Sequence, residues 1–159
     1  MSQEGEDYSV AITGVDSPDP AVDLSTAGQT LSPVFNLTLR IDNNGCIPGR
    51  STLSLSYGNT FLGKGSVPEF CSTKKEAQEI EITAWGQEVL VPRFLRERMA
   101  GELERKEAAV DIQVTMPPEC HVCGNWVLTC SKAKIGGDPS PCRKDHVYAP
   151  SAPVTGSTG

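Results

Sequence analysis

Residues 33–42 read PVFNLTLRID, with Phe35, Leu37, Leu39 and Ile41 alternating with Asn36, Thr38, Arg40 and Asp42. Successive side chains of an extended chain point to opposite faces, so this period of two predicts a strand with one buried and one wet face. The DNNG that follows at 42–45 is a turn signal, because Asn and Gly accept positive φ. The same alternation recurs along the chain. It places Val10, Ile12 and Val15 of 8–15, and Leu53, Leu55 and Tyr57 of 51–59, in or near a core. It sets Ile80, Ile82 and Ala84 of 78–86 against Glu79, Glu81 and Thr83, and it singles out Val110, Ile112 and Val114 of 109–116. Residues 125–132, with Trp126, Leu128 and Cys130, read as the last strand. SPDP at 17–20 and the GKGS at 63–66 read as turns, the latter too short for a phosphate loop and without its strand–loop–helix context.

One segment departs from period two. In VPRFLRERMAGELERKEAA (91–109) the apolar residues Val91, Leu95, Met99 and Leu103 recur every four positions with Phe94 beside them, and Pro92 suits a first helical turn. Arg96, Glu97, Arg98, Glu102, Glu104, Arg105 and Lys106 fall on the remaining, solvated face. Gly101 costs about 1 kcal/mol against Ala inside such a helix. Six or seven strands with one helix between the late ones predict a mostly β chain, an antiparallel β-sandwich of immunoglobulin or fibronectin-III type.

The 159 residues fit one domain with a core of its own. The expected division is a disordered edge at 1–7, the domain at 8–145, and a disordered Pro/Ser/Thr/Gly-rich tail at 146–159. A net charge of −6 without a basic stripe argues against nucleic acid and against anionic membrane surfaces as partners. No run of about 18 apolar residues offers a membrane span, and the acidic, polar residues 1–9 are unlike a secretory leader. Export would therefore require a leader or anchor outside this chain.

Six cysteines decide the compartment: Cys46, Cys71, Cys120, Cys123, Cys130 and Cys142. Three of them share ECHVCGNWVLTC (119–130) with His121. A zinc site would use paired knuckles, and Cys120-x-x-Cys123 supplies one pair, but Cys130 and Cys142 are too far apart in sequence for the second. A dithiol redox centre would place CxxC at a helix start, and here a strand follows. Disulfides fit an even cysteine count in an oxidising compartment. Cys46 and Cys71, both read as loop residues, form one pair. The others are expected to pair as Cys130–Cys142 with Cys120–Cys123, the rival being Cys120–Cys130 with Cys123–Cys142; four cysteines allow three pairings, and the sequence does not select among them. The triplet Asn36-Leu37-Thr38 is an N-glycosylation acceptor and agrees with export.

Nothing in the sequence assembles a catalytic site. His121 and His146, the only histidines, read as surface residues, and no GxSxG is present. Glu79 and Glu81, about 7 Å apart on one strand face, read as solvated. Trp126 reads as core, while Trp85 suits core and surface equally.

Residues 10–45, then STLSLSYGNTFLGKGSVPEFC (51–71), then the Val-Pro helix and a strand ending Trp-x-x-x-Cys (126–130), resemble the plant late-embryogenesis-abundant group 2 (LEA-2) family, which shares the water-stress and hypersensitive-response domain. The likeness spans roughly 8–143 and is nearest to the membrane-anchored branch, the proteins similar to non-race-specific disease resistance and harpin-induced proteins. The chain has Asp42-Asn43-Asn44 where the family usually has Asn-Pro-Asn, and its CxxC lies outside the family core pattern. The resemblance implies a fibronectin-III-like sandwich with one helix on the extracellular, apoplastic face of the plasma membrane, attached through a transmembrane anchor. It implies no enzymatic activity and no cofactor. The expected role is defence or stress response through a host or microbial protein partner. Rival expectations are a soluble desiccation protectant of the same fold, and a zinc- or thiol-dependent protein built on Cys120 and Cys123.

Overall fold

The computed structural model describes residues 7–15, 32–42, 46–71, 77–87, 89–118 and 124–147. These form β1 (Asp7–Val15), β2 (Val34–Asp42), β3 (Cys46–Ile47), β4 (Ser51–Tyr57), β5 (Thr60–Val67), β6 (Phe70–Cys71), β7 (Gln78–Trp85), α1 (Arg93–Glu104), β8 (Ala109–Met116), β9 (Asn125–Lys134) and β10 (Ser140–Val147). The chain is mostly β with its helix between late strands. Eight antiparallel strands close into one sheet in the order β1-β10-β9-β8-β4-β5-β7-β2, and β3 pairs with β6 beside it.

The period-two pattern builds the interior. Phe35, Leu37, Leu39 and Ile41 of β2 are all buried, and they meet Val10 and Ile12 of β1, Leu53 and Leu55 of β4, Val110, Ile112 and Val114 of β8 and Leu128 of β9 in one core. β2 lies between β1 and β7 and pairs along its whole length with β7, from Val34↔Trp85 to Ile41↔Gln78.

The strands form a closed barrel where two stacked sheets were expected. Two seams account for the difference. β1 meets β10 only from Tyr8↔Cys142 to Val10↔Ser140. β5 meets β7 only at Lys64↔Trp85. The second seam shows why the GKGS segment, read as a turn, is strand instead. A methyl group on Gly63 would lie 2.8 Å from the Trp85 carbonyl carbon, one on Gly65 would strike the Thr83 carbonyl oxygen, and one on Gly86 would strike the Leu62 carbonyl oxygen. Glycine here permits two backbones to approach side by side. β4 and β5 are joined by the two-residue turn Gly58-Asn59, with φ of 56° and 67°, the positive pair a tight hairpin requires.

β10 was not foreseen, and Cys142 and His146, assigned to a loop and a tail, are strand residues. SPCRKDHV carries no apolar alternation, because the positions in phase with the core are Cys142, Lys144 and His146 at the barrel's end. Pro141 pairs with Ser9 of β1, two residues before the β9 ladder begins at Arg143↔Thr129.

α1 is shorter than the 91–109 expected. It begins after Pro92 and ends at Glu104, where Lys106 takes φ 60°. Leu95 and Met99 are buried as the four-residue spacing requires, but Phe94 stands 69% exposed, one residue and about 100° around the helix from Leu95. Arg96, assigned to the solvated face, is 2% exposed. Its stem turns back along the helix and its Nε donates to the Val91 carbonyl at 3.0 Å. The helix is fixed to the barrel by Tyr57, whose hydroxyl donates to Glu102 Oε1 at 2.7 Å, while Arg98 Nε donates to Glu102 Oε2 at 3.2 Å. Burial, the bond to Glu102 and the carboxylate's charge push the Tyr57 hydroxyl up to about 12. The same bond holds the Glu102 carboxyl below its ordinary value.

Gly65→Ala is expected to destabilise the fold by about 3 kcal/mol, while Gly14→Ala, where a methyl group meets nothing within 4 Å, shifts stability by no more than about 0.5 kcal/mol. Chemical denaturation of both variants checks the seam. A raised tyrosine pKa contributes stability that is complete below the unfolded value and lost as pH climbs through the folded one. The stability advantage of the wild type over Tyr57→Phe is therefore expected to shrink between about pH 10 and about 12, read from denaturation midpoints across that window.

Candidate interaction surface

The cysteines resolve into cross-strand staples. Cys46 and Cys71 face one another in the β3–β6 ladder, not in loops, and are joined with Cα atoms 4.1 Å apart. Beneath them Ile47 is buried, and the Tyr8 hydroxyl donates to the Cys46 carbonyl at 3.1 Å. Cys130 of β9 is joined to Cys142 of β10, Cα atoms 4.2 Å apart. This is the pairing expected first among those the sequence leaves open, and neither sulfur is left to ligate a metal. Cys120, His121 and Cys123 lie outside the described residues. Among the described residues no cysteine is free, and no group of three His, Cys, Asp or Glu side chains could hold a metal ion. Two such bridges are compatible with an oxidising compartment.

Asn36 lies on β2 between Gly14 of β1 and Thr83 of β7, out of phase with the buried Phe35 and Leu37. The glycosylation acceptor therefore stands on the outer face of the barrel. Glu79 and Glu81 are exposed on the outer face of β7.

Trp126 is not core. It is 40% exposed at the start of β9, where its ring lies 4.5 Å from that of His146 and 4.8 Å from Lys144 Nζ. The same ammonium lies 5.6 Å from the Tyr8 ring. The polar residues of β10 thus close this end of the barrel, and Trp126 sits above the last apolar layer as a half-wet ring over a cation.

Toward the opposite end three large apolar side chains are exposed. Trp85 at the end of β7, Leu90 in the link to α1 and Phe94 in the first helical turn are 53%, 70% and 69% exposed. They follow one another in sequence between the end of β7 and the first turn of α1. The sequence carries a signal for Phe94, since it falls off the four-residue stripe of Leu95 and Met99. The sequence suits Trp85 to core and surface equally, and its position beside Lys64 at the seam puts it outside.

A third feature lies on the outer face of β4, β8 and β9. There a shallow depression of about 450 Å³ is lined by short polar side chains, among them Ser54, Ser56, Asp111 and Gln113.

No family model, curated protein or solved structure matches the chain. No helix among the described residues is long and apolar enough to cross a membrane.

Alkylation of the denatured, unreduced protein followed by peptide mass analysis is expected to leave Cys46, Cys71, Cys130 and Cys142 unmodified. Replacing both Cys130 and Cys142 by Ala is expected to cost about 3 kcal/mol of stability, the chain entropy of the closed loop.

Proposed function

We propose that this chain is the extracellular, non-enzymatic interaction domain of a plant membrane-anchored protein of the LEA-2 type, acting in defence or abiotic-stress response by binding a host or microbial protein. The observation that carries the reading is the run of Trp85, Leu90 and Phe94 on the surface of an otherwise acidic chain. Large exposed apolar side chains are what protein contacts use. The two staples and the outward Asn36, as a glycan acceptor, suit the apoplastic face of the plasma membrane, with the anchor supplied by sequence outside this chain. The thin seams support the finer reading of the fold. They divide the barrel into β1-β2-β7 and β10-β9-β8-β4-β5, which we read as the two layers of a flattened, fibronectin-III-like sandwich.

The test is a photo-crosslinking residue placed at Phe94, and separately at Glu79 as a control, in the anchored protein expressed in plant cells. A specific partner gives a discrete adduct from position 94 that excess unlabelled domain competes away, and none from 79. Adducts indistinguishable between the two positions sink the proposal. A protectant acting by solvation would instead shield a heat-labile enzyme equally well as wild type and as the Leu90→Ser/Phe94→Ser variant.

A further inference from the structure

The depression on β4, β8 and β9 has a specific cause. Val110 pairs with Ala133 and Ile112 with Cys130, so Asp111 alone stands opposite both Ser131 and Lys132. This is a bulge with its extra residue on β9, and Lys132 carries the positive φ of 55° that absorbs it. The Lys132 N–H, displaced from the ladder, donates to Asp111 Oδ1 at 2.9 Å. The bond holds the carboxylate at the depression while its second oxygen makes no hydrogen bond within the described structure. Around it Ser54, Ser56, Gln113, Thr129 and Ser131 turn hydroxyls and an amide to the same hollow, and Asn59 stands at its end. None of these five side chains is engaged by another described residue. They are donors and acceptors in a row.

The composition of the hollow selects its ligand. Asp111 and Lys132 balance in charge, which favours a neutral molecule. Ile112 is the one apolar residue among those that line it, and protein contacts rest on larger apolar anchors. Planar carboxamide and carboxylate groups set among hydroxyls suit a molecule with many neighbouring hydroxyls, each able to donate and accept. Phe61, 47% exposed, stands on β5 directly across from Ser56 and offers an aromatic face beside the polar row. The hollow continues past Thr129 and Ser131 into a second one bordered by Ser140, Pro141 and Arg143 on β10. Four adjacent strands span roughly 14 Å at ordinary spacing, the length of a short oligosaccharide, and the trough is open along its course.

We infer that this outer face is a binding site for a neutral polysaccharide chain, with Asp111 and Gln113 bonding vicinal hydroxyls and Phe61 stacking on the C–H face of one sugar ring. The site lies apart from Trp85, Leu90 and Phe94 and does not depend on the protein-contact reading. The test is an amide-correlation NMR titration of the whole chain with cello-, xylo- and mannotetraose, and with tetragalacturonate as the acidic counterpart. Saturable shifts are expected with at least one neutral sugar, largest at Lys132 and along β8 and β9. Asp111→Asn, Gln113→Ala and Phe61→Ala should each weaken that binding by about tenfold, with the melting temperature unchanged. Leu90→Ser/Phe94→Ser should leave it intact. Absence of shifts with all three neutral sugars, shifts confined to another face, binding of tetragalacturonate alone, or full affinity in all three trough variants would each overturn the inference.

Discussion

The fold depends on the absence of three methyl groups. Between β5 and β7 the only ladder pair is Lys64↔Trp85, and around it Gly63, Gly65 and Gly86 let the two backbones lie where any Cβ would intrude. With those backbones held apart, the ring of eight strands would open into two edges, each a row of unpaired N–H and C=O groups. At the end of β7 the Gly86 N–H donates to the Pro33 carbonyl at 3.0 Å, and α1 follows from Arg93. From there Leu95 and Met99 reach the core, and Glu102 receives the Tyr57 hydroxyl. The exposed Trp85, Leu90 and Phe94 stand between the end of β7 and the first turn of α1, outside the core that Leu95 and Met99 enter.

At the β1–β10 seam the support is indirect: the covalent bond beside it ties β10 to β9, not to β1. β10 brings almost nothing apolar to the core, and its contact with β1 is three residue pairs long. A strand of that composition gains little from burial, which at about 25 cal/mol per Å² of apolar surface is what ordinarily holds a strand. The Cys130–Cys142 bond supplies the deficit by limiting the unfolded chain. Cys46–Cys71 does the same for β3 and β6, two residues each, far below the length at which a two-stranded ladder holds by itself in water. Both staples therefore lie where hydrophobic pairing is weakest.

This explains which parts of the structure were legible in the sequence. β2, β4 and β8 were readable because one face of each is buried and the other wet, so burial writes itself into the alternation. β5 was misread at Gly63-Lys64-Gly65, since glycine signals a turn by its permitted φ and a close approach by its missing Cβ, and only the partner strand distinguishes the two. β10 was invisible because a strand held by a disulfide and by polar end-capping need not alternate. Arg96 and Trp126 exchanged places with expectation for a related reason. Residue type sets the cost of burial, but the layer of the barrel at which a side chain emerges decides whether it is buried. Arg96 emerges beneath the link to α1, and Trp126 emerges past the last apolar layer. The trough was hidden for a third reason: Ser54, Ser56, Gln113 and Thr129 are ordinary outward residues in sequence, and the bulge at Asp111 that gathers them is a property of pairing.

Closing the sheet also shapes what the surface can do. An open sandwich offers edge strands to partners, and backbone pairing at an edge is sequence-tolerant. With eight strands joined in a ring, that route is confined to the thin seams and the short β3–β6 pair, and recognition falls to side chains. Those side chains are sorted by position. The apolar ones stand between the end of β7 and the first turn of α1, outside a filled core. The hydroxyl-rich ones stand on the barrel wall, where every second residue faces water and a single bulge turns a flat row into a hollow. The two surfaces therefore differ in chemistry because they differ in origin, one from the passage between β7 and α1 and the other from a register fault, and a partner suited to one has little reason to occupy the other.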